Sequence, residues 1–405
     1  MNNQRVVITG LGAICSICKN IDEFAFNLKN GVSGLKRIPE ERFSTDFTIY
    51  KNKKGCVIDN GLFKETKEKD ITLLRCISNI AIKESLDDAG LRLEDLRTSI
   101  VGLSIGTSVG ASFSFMEFVK KQLNGERERY ADLLFNSGPT IAGSIAKDFF
   151  LNGPISTVST ACASGTNSIG RAYDFIKNER ADIMIAGGVD IFTELTFSGF
   201  NSLQAIALDH CKPFDKNRDG LNLGDAAAFL ILESYNNAIS RGAKIYAEIK
   251  GYSIANEAYH STAPSPDGES AYKVMLNSLN EGNIKISEID YINAHGTGTK
   301  ANDSMELNAI NRLLAKSEKK VFISSTKSLI GHTLGAAGSI ELVATIIGMD
   351  RGFIPPSINV YDSMIDSKNI VLVQDRAIEE NINVALSNSF GFAGNVASIV
   401  IKKLY

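Results

Sequence analysis

The segment 156–176, STVSTACASGTNSIGRAYDFI, places one cysteine, Cys162, where an extended stretch gives way to a predicted helix over 162–178. The first turn of that helix, CASGTNS, contains only small or polar residues. Unpaired N–H groups and the helix dipole at such a position favour a thiolate. The segment therefore predicts an ionised, accessible thiol, although an ordinary buried cysteine fits the same stretch.

Short β-branched runs alternate with longer helical patterns on both sides of this segment, which predicts an α/β fold with largely buried strands. The predicted strands are 5–12, 99–107, 181–188, 226–233, 247–254, 289–297 and 396–403. The predicted helices are 70–89, 162–178, 266–281, 303–315 and 335–350. The GLG of TGLGAIC lacks a full dinucleotide-binding pattern and is interpreted as a turn at the end of a strand.

Three segments of the first half recur in the same order in the second half. LSIGTS (103–108) resembles NAHGTGT (293–299), VSTACASG (158–165) resembles ISSTKSLIG (323–331), and DIMIAGG (182–188) resembles NVALSNSFG (383–391). The pattern predicts a duplication with halves 1–245 and 246–405, a linker near 234–246 and one shared cleft at the strand ends. Chance similarity between glycine-punctuated strands is the alternative.

Composition and charge exclude several classes of protein. The 405 residues are 44% hydrophobic and carry a net charge of −3, with no basic stripe that would predict nucleic-acid or lipid binding. The apolar runs are shorter than the ~18 residues of a membrane span, and the N-terminus lacks a signal-peptide pattern. We therefore expect a cytoplasmic protein with no membrane or nucleic-acid partner.

Six cysteines in a chain of this length are too few for a disulfide framework. Cys15 and Cys18, in CSIC, are consistent with a redox pair, half of a zinc site, or two buried thiols. No second cysteine pair and no H-E-x-x-H motif is present, so we expect no metal site.

His295 and His332 both lie in glycine-rich segments predicted to follow strands, and Lys327 precedes His332 by five residues. A thiol, two imidazoles and an ammonium group can supply the nucleophile, proton handling and anion stabilisation of covalent carbonyl chemistry. The glycine turn SFGFAGN (389–395) is either a plain hairpin or a means to bring a backbone N–H to the cleft.

STACASG, NAHGTGT, SSTKSLIGHTLGAAG and NSFGF together resemble the β-ketoacyl-[acyl-carrier-protein] synthases, most closely the type II elongating enzymes. The resemblance extends from VVITGLGA at residue 6 to the C-terminus and includes CKPFDKNRDGLNLGDAAAFLILE (211–233). It implies a thiolase-like fold, in which two duplicated α/β halves pack in αβαβα layers. It also implies decarboxylative condensation in fatty-acid, type II polyketide or polyene biosynthesis.

The resemblance assigns roles to individual residues. Cys162 would carry the acyl chain as a thioester, while His295 and His332 would assist decarboxylation of malonyl-carrier protein, with Lys327 ordering the histidines. Backbone N–H groups of Cys162 and Phe392 would form the oxyanion hole.

The remaining implied roles concern the substrate and the partners. Thr297 and Thr299 would bind the phosphopantetheine arm, and Val109, Phe200 and Phe392 would gate the acyl pocket. No metal or organic cofactor is implied, because the substrates are carried on the phosphopantetheine of acyl carrier protein. The expected assembly is a homodimer or a heterodimer with a related ketosynthase-like subunit.

This chain departs from the family pattern at three positions of the gating loop, Ala393, Asn395 and Val396, where the family has glycine, threonine and asparagine. Alanine is expected to restrict backbone angles that glycine adopts freely, and the other two changes to remove polar partners. Glu257 replaces a common aspartate, and Ala263 a serine that often contacts pantetheine. The alternative functions are a malonyl-carrier-protein decarboxylase and an inactive partner subunit, both of which typically lack the cysteine.

Overall fold

The computed structural model describes residues 4–43, 47–58, 61, 70–110, 112–126 and 138–404. Its strands are β1 (Val6–Cys15), β2 (Lys36–Arg37), β3 (Lys54–Gly55), β4 (Val101–Gly106), β5 (Ile155–Val158), β6 (Ile183–Asp190), β7 (Ala226–Ser234), β8 (Ala247–Asn256), β9 (Tyr291–Asn293), β10 (Val321–Ser324), β11 (Phe353–Ile354), β12 (Ile370–Leu372), β13 (Ile378–Glu379), β14 (Val384–Phe390) and β15 (Asn395–Lys402). Its α-helices are α1 (Ile21–Lys29), α2 (Asp70–Asp88), α3 (Leu93–Thr98), α4 (Ser112–Leu123), α5 (Gly138–Asp148), α6 (Ser164–Lys177), α7 (Glu194–Ser202), α8 (Tyr235–Ser240), α9 (Glu269–Glu281), α10 (Lys300–Leu314), α11 (Lys327–Ile330) and α12 (Ala337–Arg351).

Eleven strands form one mixed sheet in the order β12-β10-β9-β14-β15-β8-β1-β7-β6-β4-β5. From the central β1/β8 pair outward, the two arms repeat the same order. The arm with β1 continues through β7, β6, β4 and β5, and the arm with β8 continues through β15, β14, β9 and β10. The three sequence repeats fall on or directly after equivalent strands: β4 and β9, β5 and β10, β6 and β14. This symmetry confirms a duplicated α/β architecture.

Helices α6 and α12 pack against each other and against both arms of the sheet, which makes them a shared middle layer. Helix α2 covers β1 and β7 on the outside, and α9 covers β8 and β15. The αβαβα layering predicted from the family resemblance is therefore confirmed. The core strands β1, β4, β6 and β7 are buried at every position, as expected for a sheet with helices on both faces.

Most predicted elements are present, with two instructive differences. The predicted strand 289–297 ends at Asn293, because Gly296 and Gly298 have φ values of +35° and +75° and turn the chain away from the sheet. The prediction that GLG forms a turn at a strand end was wrong. Gly10 and Gly12 lie inside β1, where the absence of a side chain lets α2 approach the strand closely.

The predicted linker region contains the end of β7 and the short helix α8. None of the helices formed by the described residues has the length and apolarity that a membrane crossing requires.

Candidate active site

Cys162 lies in the short connection between β5 and α6, with its side chain 7% exposed. Its Sγ is 3.1 Å from Nε2 of His332, which comes from the other half of the duplication. The rings of His295 and His332 are nearly perpendicular, with centroids 5.4 Å apart. The Cys162 sulfur and one nitrogen from each ring lie within 4.8 Å of one another. The structure thus brings together three residues that the sequence singled out.

The prediction of an ionised thiol was wrong. Helix α6 begins at Ser164, two residues after Cys162, so the cysteine lies outside the first helical turn. Burial raises the pKa of the Cys162 thiol to about 11, although the Lys327 charge and the Phe392 N–H act in the opposite direction. The dominant effect is the loss of hydration that a thiolate would need. The resting nucleophile is therefore a neutral thiol.

The hydrogen bonds of His332 determine its tautomer. The backbone N–H of Leu334 donates to Nδ1 at 3.1 Å, so Nδ1 is an acceptor and the neutral ring carries its proton on Nε2. Nε2–H then faces the Cys162 sulfur as a donor. Burial and the Lys327 charge hold the pKa of His332 well below its usual value. Burial, the Lys327 charge and the neighbouring His332 likewise hold the pKa of His295 well below its usual value. Both imidazoles are neutral near pH 7.

Lys327 does not reach the cleft as a free cation, because its ammonium group forms a fully buried ion pair with Glu341 of α12. Burial raises the pKa of Glu341 to about 7, against the opposing effect of Lys327. Sequence reasoning missed Glu341. The signal was a lone acidic residue within the small and apolar run LGAAGSIELV.

A second buried carboxylate shapes the loop that carries His295. Glu306 of α10 accepts hydrogen bonds from the backbone N–H groups of His295 and Gly296, each at 2.8 Å. Burial raises the pKa of Glu306 to about 7, and these two hydrogen bonds oppose the rise. The side-chain amide of Asn388 is a third donor, at 3.3 Å. Nδ1 of His295 is buried without a hydrogen-bond partner among the described residues.

Asp190, at the end of β6, connects the two halves beside the nucleophile. Its buried carboxylate accepts hydrogen bonds from Thr107, from Ser108 and from the backbone N–H of Gly335, three residues after His332. Sequence reasoning missed this residue also. An acidic residue directly after the apolar run IMIAGGV was the available signal.

The loop 391–394 connects the antiparallel strands β14 and β15, so it is part of a hairpin, and it also lines the cleft. The backbone N–H of Phe392 faces the Cys162 sulfur. Ala393 adopts a left-handed conformation, with φ +58°, so the alanine accepts the strained angles that it was expected to restrict. The side-chain amide of Asn395 donates to the Phe392 carbonyl at 3.0 Å and so supplies a polar contact within the loop.

A cleft of about 550 Å³ extends from these groups to the surface. Thr297 and Thr299 line it and hydrogen-bond to each other at 2.9 Å. Phe200 also lines it and stacks on Phe392, with ring centroids 5.4 Å apart. Val109 packs with Phe200 against an aromatic cluster but is not among the described residues of the cleft wall. Its role as a gate stays a prediction.

The cleft wall contains further polar residues that the sequence did not assign to the site. They are Gln204, Asp219, His260, Lys300 and Asn302. Glu257 and Ala263, noted as departures from the family pattern, also line the cleft. Oε1 of Glu257 is buried without a partner among the described residues, while Oε2 accepts a hydrogen bond from the Ser265 N–H.

Comparison with known proteins agrees with this arrangement. Residues 3–238 match the family model of the beta-ketoacyl synthase N-terminal domain, and residues 246–361 match that of the C-terminal domain. The 3-oxoacyl-[acyl-carrier-protein] synthase 2 of Vibrio harveyi is 34% identical over 421 residues, covering 100% of both chains.

Two solved structures resemble the chain over its whole length. The ishigamide ketosynthase/chain length factor is 30% identical with a TM-score of 0.91, and both chains are covered completely. A ketosynthase of a type II polyketide synthase, solved with its acyl-carrier protein and the hexaketide, is 30% identical with a TM-score of 0.90 and the same coverage. The chain therefore belongs to the β-ketoacyl synthase family of condensing enzymes.

Proposed function

We propose that this protein is a 3-oxoacyl-[acyl-carrier-protein] synthase that joins an acyl thioester on Cys162 to malonyl-carrier protein. The observation that carries the proposal is the distance of 3.1 Å between the Cys162 sulfur and Nε2 of His332, with the His295 ring beside them at the end of an open cleft. A condensing enzyme needs a nucleophile and, next to it, hydrogen-bond donors for the carbonyl oxygen of the substrate. The Cys162 sulfur and the two imidazole rings provide these groups.

In the first half-reaction the Cys162 sulfur attacks the acyl thioester carbonyl. The carrier's sulfur leaves as a thiolate when the new thioester forms. This thiolate takes up the proton that Cys162 loses. The Phe392 N–H already faces the sulfur, so it can donate to the developing oxyanion together with the Cys162 N–H. Because the thiol is neutral at rest, its deprotonation accompanies its attack on the acyl thioester.

In the second half-reaction malonyl-carrier protein loses carbon dioxide, and its thioester becomes an enolate. His332 donates its Nε2 proton as a hydrogen bond to the thioester oxygen, because the Leu334 N–H keeps Nδ1 an acceptor. His295 contributes the second donor. The enolate carbon then attacks the acyl-Cys162 carbonyl, which releases the Cys162 sulfur and forms a 3-oxoacyl chain two carbons longer.

The reaction as proposed uses no metal or organic cofactor. Cys162, His295 and His332 have the spacing of a metal site, but the Leu334 N–H opposes one. A metal ion on Nε2 of a neutral imidazole requires a proton on Nδ1, and that proton would face the Leu334 N–H. The ring is therefore oriented for hydrogen-bond donation.

We further propose that the substrate donor is an acyl carrier protein, as the type II polyketide relative with its bound carrier suggests. Thr297 and Thr299 lie on the cleft where the phosphopantetheine arm would enter. Strand β5 is the last strand of its arm, and its outer edge has no strand partner in the described part of the chain. We propose that this edge pairs with a second copy of the chain or with a related subunit. We also propose that the protein acts in the cytoplasm.

In the test, the wild-type protein and the Cys162→Ala variant are each incubated with acyl-carrier thioesters of several chain lengths, and malonyl-carrier protein is then added. Intact-mass analysis detects acylation of the protein, and chromatography detects the product. We expect acylation of wild type alone, followed by a product two carbons longer. His332→Ala and His295→Ala should still acylate but should release little carbon dioxide. Normal condensation by Cys162→Ala would refute the nucleophile, and carbon dioxide release without acylation of wild type would indicate a decarboxylase.

A further inference from the structure

Cys15 and Cys18 form a pair that the proposed chemistry does not use. Cys15 is the last residue of β1, and the chain reverses over Ser16 and Ile17 so that the two cysteines face each other. Their backbones exchange two hydrogen bonds, from Cys15 N–H to Cys18 O at 3.0 Å and from Cys18 N–H to Cys15 O at 3.2 Å. Their Sγ atoms are 3.3 Å apart.

This geometry is close to that of a disulfide. Residues that exchange both hydrogen bonds have Cα atoms about 5.5 Å apart, inside the range of about 4.4–6.8 Å that disulfides allow. Closure requires the sulfur atoms to approach by about 1.3 Å, to the bond length of about 2.0 Å. Rotation of the two side chains, with the backbone pairing kept, accounts for a movement of this size.

Small reagents have a route to the pair. Cys15 and Cys18 are 4% and 3% exposed, but both line a cavity of about 440 Å³ together with Lys19, Glu23 and Lys36. Burial raises the pKa of the Cys18 thiol well above its usual value, and the Cys15 sulfur adds to the rise. Cys18 is thus present as a thiol until an oxidant enters.

We propose that Cys15 and Cys18 form a reversible intramolecular disulfide when the protein meets a peroxide. One of the two thiols loses its proton, and the resulting thiolate attacks hydrogen peroxide, which breaks the O–O bond and gives a sulfenic acid and hydroxide. The released proton and the hydroxide form the first water. The second sulfur displaces the sulfenic oxygen as water and forms the S–S bond. Two thiols and one peroxide therefore give one disulfide and two waters, and a thiol reductant reverses the change by exchange.

The experiment uses the full-length folded protein and needs no substrate, so its outcome is independent of the proposed condensation. The protein is treated with hydrogen peroxide, denatured, alkylated and digested with trypsin. Cleavage after Arg5 and Lys19 yields one peptide, 6–19, that contains both cysteines. Cys76 lies alone in the peptide 76–83 and reports the alkylation of an unpaired thiol.

We expect peptide 6–19 to lose the mass of two hydrogen atoms and to escape alkylation after peroxide, and to regain two alkyl groups after reduction. Cys15→Ser and Cys18→Ser should each remove this species, whereas Cys76→Ser should keep it. Double alkylation of peptide 6–19 in peroxide-treated wild type overturns the proposal. A disulfide that forms only after the protein is unfolded in urea also overturns the proposal. Circular dichroism under the oxidising conditions shows whether the protein is still folded when the disulfide forms.

Discussion

At the scale of single residues, burial has a larger effect on the nucleophile than the nearby helix. Burial raises the pKa of Cys162 to about 11, which makes the thiolate a minor species near neutral pH. We therefore predict that alkylation of Cys162 by iodoacetamide accelerates about tenfold per pH unit between about pH 7 and pH 10. Mass spectrometry of the Cys162 peptide gives the rate, with the partly buried Cys76 as the reference. A plateau near pH 7 would show an ionised thiol instead.

The ion pair between Lys327 and Glu341 supports a second prediction at this scale. The Lys327 charge lowers the pKa of Cys162 and the Glu341 charge raises it. At about pH 8.5, above the pKa of Glu341, Lys327→Met should slow alkylation of Cys162 and Glu341→Gln should accelerate it, each by roughly threefold or more. Lys402→Met, at the other end of β15 from the cleft, is the control and should leave the rate unchanged. Equal effects of the two core variants would contradict this electrostatic account.

At the scale of elements, the hairpin between β14 and β15 approaches the backbone of the nucleophile closely at Gly391. Its φ of −106° and ψ of 162° suit any residue, but a Cβ there would lie 3.0 Å from the backbone nitrogen of Cys162. We predict that Gly391→Ala slows acylation at least about tenfold, because the oxyanion site is obstructed, with little change in the free energy of unfolding. Gly143→Ala is the matched control, since a Cβ at Gly143 meets nothing within 4 Å. Acylation as fast as in wild type would contradict the prediction.

At the scale of the whole molecule, the nucleophile and the histidines meet because α6 and α12 pack closely between the two arms of the sheet. A Cβ on Gly165 would lie 2.8 Å from the backbone nitrogen of Ser339 and 2.9 Å from the Gly335 oxygen. We predict that Gly165→Ala lowers the free energy of unfolding by about 1–3 kcal/mol and slows acylation, because the helices must separate. Denaturant titration and intact-mass kinetics measure the two effects, again with Gly143→Ala as control. Unchanged stability would show that the interface can adapt.

The sequence alone determined the architecture and the identity of the chemical groups. Hydrophobic runs bounded by glycine indicate strands locally, and the repeated segments occupy equivalent strands of the two arms. Cys162, His295 and His332 could be named for the same reason, since reactive residue types in glycine-rich segments at strand ends are local features. Glu341 was missed because its importance depends on contact with Lys327 and not on neighbours in sequence.

Only the tertiary structure decided the protonation state of those groups. The local pattern predicted a thiolate at the start of a helix. The Cys162 thiol instead lies before the first residue of the helix and is buried, and the loss of hydration raises its pKa more than the helix dipole lowers it. The tautomer of His332 likewise depends on the Leu334 N–H, which the fold brings to Nδ1. Residue type is a property of the chain, whereas hydration and hydrogen-bond direction exist only once distant segments have packed together.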